Sequence, residues 1–276
     1  MAVTLNTNSS AYIALANLRT VQSQLQATQK QVSTGFNTAD ALDNGAVFGV
    51  AQGVRANLAG NTAVSQELGN LSGLVSVSSA ASTQISNNLS DIRAVLSHLS
   101  NTNISANEET QYKAQLTSLV ASIKNFIDGA NYGSTNLLST DKNLTILADH
   151  QAGNNIAISG TKFGLQTVYA DLTAGQGAVA KGDVAQSWVQ TSFASVSGTV
   201  SGVLNHIGAL NRSLETQLNF NANVRSALNN ALGALVDADL AAESANLTAL
   251  QVKQSLSTQS LSIANQGPSA LLKLFQ

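Results

Sequence analysis

Proline is almost absent from this chain, and this constrains the fold more than any other feature. The single proline among 276 residues is Pro268, close to the C-terminus. Because proline disrupts helix interiors, the remainder is free to form very long helices. From 47 to 99 apolar residues recur three and four apart, which predicts one helix of about 80 Å. This stripe comprises Val47, Val50, Val54, Val64, Leu68, Leu71, Val75, Ile85, Leu89, Ile92, Leu96 and Leu99, interrupted by Asn57, Asn61, Ser78 and Ser82.

Further helices are predicted on both sides of a short region with a different pattern. The same spacing predicts a helix over 106–128, ended by Gly129 and Asn131, and another from about 185 to 235 that continues into the C-terminal stripe. Residues 132–183 instead contain short alternating segments. These predict strands at Leu144–Ala148, at Ile156–Ile158 after a Gly153-Asn154-Asn155 turn, and at Val168, Ala170 and Leu172.

Both ends of the chain carry an apolar heptad stripe that needs a partner. Residues 1–34 and 237–276 are nearly uncharged, and neither can bury its stripe alone. The partner is either the other end of the chain or another subunit. The first stripe comprises Ala11, Ala14, Leu18, Val21, Leu25 and Val32, with Thr28 its one polar member. The last comprises Ala238, Ala242, Ala245, Ala249, Val252, Leu256 and Ile263, widened by Leu247, Leu250 and Leu261. Twelve residues of the two stripes are expected to form a self-assembly interface: Ala11, Ala14, Leu18, Val21, Leu25, Val32, Leu247, Leu250, Val252, Leu256, Leu261 and Ile263.

These patterns predict a mainly α fold. We expect a long antiparallel helical bundle or coiled coil with a small β-hairpin region, and with the termini paired at one end. If the chain polymerises into a tube, the few cations near its ends are expected to face a water-filled lumen or to pair across subunits. These cations are Arg19, Lys30, Lys253 and Lys273.

Composition narrows the classes of partner. Charged residues make up 10% of the chain, and the net charge is −2 without a basic cluster, so no nucleic-acid partner is expected. There is no cysteine, which excludes disulfides and thiolate metal sites. We expect neither a membrane-spanning segment nor a cleaved signal peptide, because no stretch has the required apolar pattern.

The two ends resemble bacterial flagellin, most closely the short flagellins of alphaproteobacteria. The N-terminal resemblance lies in Leu5-Asn6-Thr7-Asn8, in Gln31-Val32-Ser33-Thr34-Gly35, in Ala39-Asp40-Ala41-Leu42-Asp43-Asn44-Gly45 and in Val50-Ala51-Gln52-Gly53-Val54-Arg55. The C-terminal resemblance lies in Val236-Asp237-Ala238-Asp239-Leu240-Ala241-Ala242-Glu243, in Ser262-Ile263-Ala264-Asn265-Gln266-Gly267-Pro268 and in Leu271-Leu272-Lys273-Leu274-Phe275.

The resemblance implies a subunit of the extracellular flagellar filament that serves swimming motility. It implies inner-tube helices at 1–37 and 237–276, a rod-like domain over 38–236 with a β region at about 132–183, and no large outer domains. The expected partners are further copies of the chain, sister flagellins, an export chaperone on about 240–276, and the hook-junction and cap proteins. Export is expected through the flagellar type III route, without a cleaved signal peptide.

The resemblance also bears on immune recognition. In the wider family an innate immune receptor recognises a Gln-Arg-x-Arg-Glu-Leu segment of the long rod helix. The matching segment here is Ser90, Asp91, Ile92, Arg93, Ala94 and Val95. It retains only one of the arginines, Arg93, and carries an acid, Asp91, in place of the other, so weak or absent receptor activation is expected.

No residue pattern predicts catalysis, a cofactor or a metal. His98, His150 and His206 are isolated, and Asp237 and Asp239, two apart on the predicted helix, are expected to cap or to lie at an interface. Gly175-Gln176-Gly177 lacks the strand and helix of a dinucleotide site and is interpreted as a loop. We expect Trp188 to open a helix and to act as an anchor in the core or at a contact with a neighbour. Glu108 and Glu109 are expected in the first turn of the second helix.

Two other functions compete with a filament subunit. The first is the hook–filament junction protein, a flagellin relative with similar ends, from which copy number per filament would distinguish it. The second is a secreted adhesin or enzyme on a helical stalk. This class is disfavoured because the sequence has neither a catalytic cluster nor a sizeable insert.

Overall fold

The computed structural model describes residues 7–139, 143–148 and 155–274, with 162 and 267–274 described by backbone alone. It confirms a mainly α fold with a small antiparallel β region. In chain order the described elements are α1 (Ser9–Thr34), α2 (Ala41–Leu99), α3 (Ala106–Gly129), β1 (Asn131–Tyr132), β2 (Thr135–Asn136), β3 (Leu144–Leu147), β4 (Asn155–Ile158), a 3-10 turn (Gly160–Lys162), α4 (Gln166–Ala178), α5 (Asp183–Gln190), α6 (Ser192–Val236) and α7 (Leu240–Leu274).

The chain forms two compact units. The terminal unit comprises Met1–Leu58 and Ala227–Gln276, and the central unit comprises Ala59–Ser226. Helices α2 and α6 each contribute residues to both units. In the terminal unit α1 packs against α7. In the central unit, helices α2, α3, α4, α5 and α6 all contribute residues to one hydrophobic core, and β4 contributes Ile158.

The predicted stripe of α2 forms one side of this central core. From Val64 to Leu99 its apolar members are buried, as are the polar positions Asn61, Ser78 and Ser82. Helix α6 contributes Phe193, Val196, Val200, Val203, Ile207 and Leu214. The two helices run antiparallel, because the Leu99 carbonyl at the end of α2 accepts from the Gly182 amide, while Asn61 lies beside Asn221. Asn44 has non-helical torsion angles (φ −159°, ψ 97°) and kinks the start of α2.

Helix α3 begins and ends where its local sequence predicts. The Ser105 hydroxyl accepts from the Glu108 amide, and the Glu108 carboxylate accepts from the Ser105 amide, which forms a capping box. The expected position of Glu108 and Glu109 in the first turn is thereby confirmed. The buried face of the helix carries Leu116, Val120, Ile123 and Ile127.

Among the described residues after α3, the strands form two antiparallel pairs. Strands β1 and β2 pair through a turn in which Gly133 and Ser134 have positive φ, and this hairpin is not expected from the sequence. Strands β3 and β4 pair with Leu144 opposite Ile158 and Ile146 opposite Ile156, which confirms the predicted pair. Gly153 and Asn154 of the expected turn lie outside the described residues.

The third expected strand is wrong. Val168, Ala170 and Leu172 lie in α4, where Val168 and Leu172 are buried and Ala170 is exposed. The loop interpretation of Gly175 is wrong for the same reason, because Gly175 is a buried residue of α4. Buried residues at 165, 168, 172, 175 and 179 have helical spacing, and the central core is what they face.

Trp188 is buried, as expected of a core anchor, but it does not open a helix. It lies near the end of α5, which a break at Thr191 (φ −107°, ψ −83°) separates from α6. The indole packs on Gly175 and lies 6.0 Å, centroid to centroid, from the Phe193 ring. The continuous helix expected from 185 to 235 is therefore two helices.

Candidate assembly surface

Two anchors fix α1 antiparallel to α7. At one end Asn8 caps α1 by accepting from the Ala11 amide, and its side-chain amide donates to the Ala264 carbonyl at 2.8 Å. At the other end Phe36 and Asp237 form an antiparallel bridge. The prediction that the two ends of the chain pair is confirmed by this arrangement.

The predicted stripe of α1 is the face that is covered in the single chain. Leu18 and Thr28 are buried, and the other members are half-buried: Ala11, Ala14, Val21, Leu25 and Val32. On α7 the covered face comprises the half-buried Glu243, Leu247, Gln254, Ser257, Leu261 and Ala264 and the buried Leu250. These positions alternate four and three residues apart, which is the spacing of a coiled-coil seam.

The second apolar stripe of α7, hereafter the outer stripe, remains uncovered. It comprises Ala242, Ala245, Ala249, Val252, Leu256 and Ile263. Val252, Leu256 and Ile263 are 55%, 57% and 63% exposed. From the sequence this stripe is the main heptad seam and Leu247, Leu250 and Leu261 only widen it. In the structure the two stripes exchange roles, because Leu247, Leu250 and Leu261 face α1 and the outer stripe does not. Tyr12 and Ile13 of α1 are also exposed.

A short backbone junction connects the ends of these helices to the rest of the terminal unit. Gly35 ends α1 in the left-handed conformation (φ 74°), which a residue with a side chain rarely adopts. The Asn37 amide then donates to the Val236 carbonyl at 2.7 Å, and the Ala238 amide donates to the Gly35 carbonyl at 2.9 Å. The junction interrupts the helix that was expected to run through 236–240.

Asp237 and Asp239 are accordingly not on a helix. Asp237 lies in the bridge to Phe36, and Asp239 accepts from the amides of Ala241 and Ala242 at the start of α7. The expected capping role is confirmed for Asp239, where an acid also complements the positive end of the helix dipole.

Next to the same junction, an ion cluster connects α1 to the start of α2. The Lys30 ammonium bonds Asp40 and Asp43, each at 2.7 Å. Lys30 therefore pairs within its own chain, which corrects the expectation that it faces a lumen or another subunit. Hydrogen bonds with Lys30 hold the pKa of Asp40 and of Asp43 below the ordinary value, and the same bonds raise the pKa of Lys30. The side chain of Lys273 lies outside the described residues.

We expect Lys30→Met to return the pKa of both aspartates toward the ordinary value. A depressed carboxyl pKa stabilises the folded chain above the unfolded-state pKa of about 3.9, and this contribution is lost as pH falls through the lower folded-state value. Carboxyl-carbon NMR titration of the wild type and the variant measures this directly. Lys253→Met, which removes a cation from α7, is the matched control and should leave both values unchanged. Unchanged aspartate pKa values in Lys30→Met would contradict the pairing.

The segment matched to immune recognition lies on α2. Ser90, Asp91, Arg93 and Ala94 are exposed, whereas Ile92 and Val95 are buried in the central core. A receptor that approaches this face of the helix therefore meets one cation and one acid.

The other candidates for chemistry do not assemble into a site. His98 stacks on Tyr112 with ring centroids 5.1 Å apart, and His206 lies 6.1 Å from the Phe163 ring. His150 lies outside the described residues. Across the described part of the chain, no group of three His, Cys, Asp or Glu is placed to hold a metal ion. Within the same residues, no helix has both the length and the apolar character needed to cross a membrane.

Long paired terminal helices with an uncovered apolar stripe are typical of a structural protein that assembles with other chains, and comparison with known proteins identifies its family. The protein-family model of the bacterial flagellin N-terminal helical region matches residues 5–143. The family model of the C-terminal helical region matches residues 197–275. The chain belongs to the bacterial flagellin family.

Individual relatives match over nearly the whole chain. A flagellin of Brucella melitensis is 32% identical over 98% of this chain and 98% of its own length. Flagellin FljK of Caulobacter vibrioides is 33% identical over 99% of this chain and 98% of its own length. The crystal structure of Bacillus cereus flagellin is 15% identical, with a TM-score of 0.49 over 56% of this chain and 88% of that one.

The function predicted from the sequence is thereby confirmed. The chain is a structural subunit of the extracellular flagellar filament of bacterial motility, and it polymerises with its own kind. The several flagellins of Caulobacter show that sister flagellins occur together in one organism.

Proposed function

We propose that the paired terminal helices are the polymerising element, and that the outer stripe of α7 is the surface they offer to neighbouring subunits. The observation that carries this is the exposure of Val252, Leu256 and Ile263 on a helix whose opposite apolar face is already covered by α1. Removing the remaining area of each such side chain from water contributes about 1 kcal/mol. Repeated over a polymer, these contacts favour association.

The nine predicted assembly residues at the α1–α7 interface support the proposal indirectly. They hold the two helices as a unit and thereby present the outer stripe as one surface: Ala11, Ala14, Leu18, Val21, Leu25, Val32, Leu247, Leu250 and Leu261. A surface that binds a different surface on the next copy makes a head-to-tail contact. When the rotation between copies does not close, such contacts produce an open helical tube.

The boundary between the proposed inner-tube and rod segments lies at the junction. Residues 1–37 and 237–276 form the inner tube, and residues 38–236 form the rod. The β region expected at about 132–183 is shorter in the structure, where the described strands lie within 131–158. Backbone hydrogen bonds between Gly35 and Ala238 and between Asn37 and Val236 support the proposed boundary, because they join the two segments of the chain at the point where it is placed.

The remaining partners follow from the same exposed stripe. Before assembly an uncovered apolar stripe favours premature polymerisation, so an export chaperone is proposed to cover about 240–276. Hook-junction and cap proteins are proposed to meet the subunit at the ends of the filament, and export is proposed to proceed by the flagellar type III route without signal cleavage. The chain is proposed to have no enzymatic activity.

The direct test is polymerisation of the purified full-length chain. Under salting-out conditions, negative-stain electron microscopy should show long tubes, and the pelleted fraction should appear above a critical concentration. A chain that stays monomeric at all concentrations would favour a junction protein, or a subunit that requires its chaperone.

A second prediction concerns the exposed face of the 90–95 segment. We expect weak or absent activation of the innate immune flagellin receptor, because Asp91 replaces a cation and only Arg93 remains. Reporter cells that express the receptor measure this across a concentration series. The variant Asp91→Arg should raise the response, and Asp171→Arg, an exposed acid on α4, is the matched charge control. A full-strength response to the wild type would contradict the prediction.

A further inference from the structure

A buried pair of amides joins α2 to α6 inside the central unit. Asn61 and Asn221 are 5% and 2% exposed, and the Asn61 amide donates to the Asn221 side-chain oxygen at 3.4 Å. The Asn61 Oδ1 and the Asn221 Nδ2 are also buried and have no hydrogen-bond partner. The bond is long and half of the polar atoms are unsatisfied, so the pair costs stability relative to apolar residues of the same size.

The seams around this pair repeat so regularly that they barely define an alignment. Along α2 the buried members after Asn61 are mainly valine and leucine at alternating spacings of three and four, and along α6 the members before Asn221 are the same kinds of residue. A shift of one heptad, about 10 Å along the axis, would place apolar on apolar almost everywhere.

Apart from the small hydroxyl residues Ser78 and Ser82 on α2, the two amides are the exception to that near-equivalence. A shift in one direction would bury Asn61 against Leu214, and a shift in the other would bury Asn221 against Leu68. Each would leave an amide with no polar neighbour in an apolar seam, at a further cost in free energy. A single buried asparagine is a known means of fixing register in coiled coils.

We propose that the Asn61–Asn221 pair sets the register of α2 against α6. The pair lowers the stability of the native alignment, but it lowers the stability of the heptad-shifted alignments by more. This matters for a chain with helices of 59 and 45 residues, which must find one alignment each time it folds.

The test compares leucine substitutions in the full-length chain, refolded from urea below its critical concentration. Because the chain has no cysteine, Ser76→Cys on α2 and Ser213→Cys on α6 can carry spin labels at exposed positions. The wild type should give one distance by pulsed electron paramagnetic resonance. The double variant Asn61→Leu/Asn221→Leu should unfold at the wild-type urea midpoint or above it, and should show a second distance. Each single variant should unfold at lower urea, because it strands one amide.

The control is Ser82→Ala, which removes a buried polar atom of the same seam that has no hydrogen-bond partner. It should keep the single wild-type distance. A double leucine variant that also keeps only that distance would overturn the proposal, whatever its stability. A double variant that fails to fold would overturn it as well, since matched leucines are expected to pack in a seam of valine and leucine.

Discussion

Replacing Leu256 with aspartate is expected to abolish filament formation at concentrations where the wild type polymerises. Leu256 lies in the middle of the outer stripe, and its side chain is 57% exposed in the single chain. The substitution should leave the α1–α7 pair intact, because position 256 faces away from α1. In the polymer it would place an unpaired carboxylate in an apolar contact, which costs several kcal/mol. A cost of about 3 kcal/mol raises the critical concentration about 100-fold.

The matched control is Ser255→Asp, which adds the same charge one residue earlier on the exposed polar face of α7. Sedimentation over a concentration series gives the critical concentration of each protein, and circular dichroism shows that the helices are retained. Leu256→Asp should remain in the supernatant where Ser255→Asp pellets like the wild type. Equal critical concentrations for Leu256→Asp and the wild type would exclude the outer stripe as the polymerising surface.

Gly175→Ala is expected to destabilise the central unit. A Cβ at this position would lie 1.8 Å from the Trp188 Nε1 and 2.1 Å from its Cε2. The indole is itself buried and lies against Phe193, so making room for a Cβ would displace it from this core contact. Such overpacking costs about 1–3 kcal/mol or more, and it exceeds the gain of up to about 1 kcal/mol that alanine brings to a helix.

Gly177→Ala in the same helix isolates the helix-propensity effect. Nothing lies within 4 Å of a Cβ placed there, so this variant should be as stable as the wild type or more stable. Urea unfolding followed by fluorescence compares the two, and Trp188 is the only tryptophan in the chain and reports on the contact itself. If Gly175→Ala were as stable as Gly177→Ala with unchanged emission, the indole could not lie against α4 as described.

Long periodic elements could be predicted from the sequence, because the burial that shapes them is local along one helix. The stripe of α2 from Val64 to Leu99, the bounds of α3 and the pairing of β3 with β4 all follow from residue spacing and capping. The strand expected at Val168–Leu172 fails because spacings of two and four satisfy both patterns over a short window. Glycine at 175 favours a loop in the sequence, whereas in the structure Gly175 lies in α4 and makes room for Trp188.

The assembly surface could be predicted only in part. Two apolar stripes on α7 have heptad spacing, and spacing alone cannot decide which one faces α1. The break at 236–240 is not predicted by the sequence, because it depends on backbone hydrogen bonds to Gly35 and Asn37, about 200 residues away along the chain. The burial of Asn221 is not predicted, because a polar residue in an apolar stripe is indistinguishable from an interruption until its partner is known.

The most direct test of the outer stripe is its accessibility before and after polymerisation. Leu256→Cys introduces the only thiol in the chain, and its rate of reaction with a maleimide can be measured in the monomer and in sedimented filaments. The account predicts rapid labelling in the monomer and strong protection in the filament, with Ser255→Cys protected much less. Equal labelling rates for Leu256→Cys in monomer and filament would show that the outer stripe stays in contact with water, and would contradict the proposed mode of assembly.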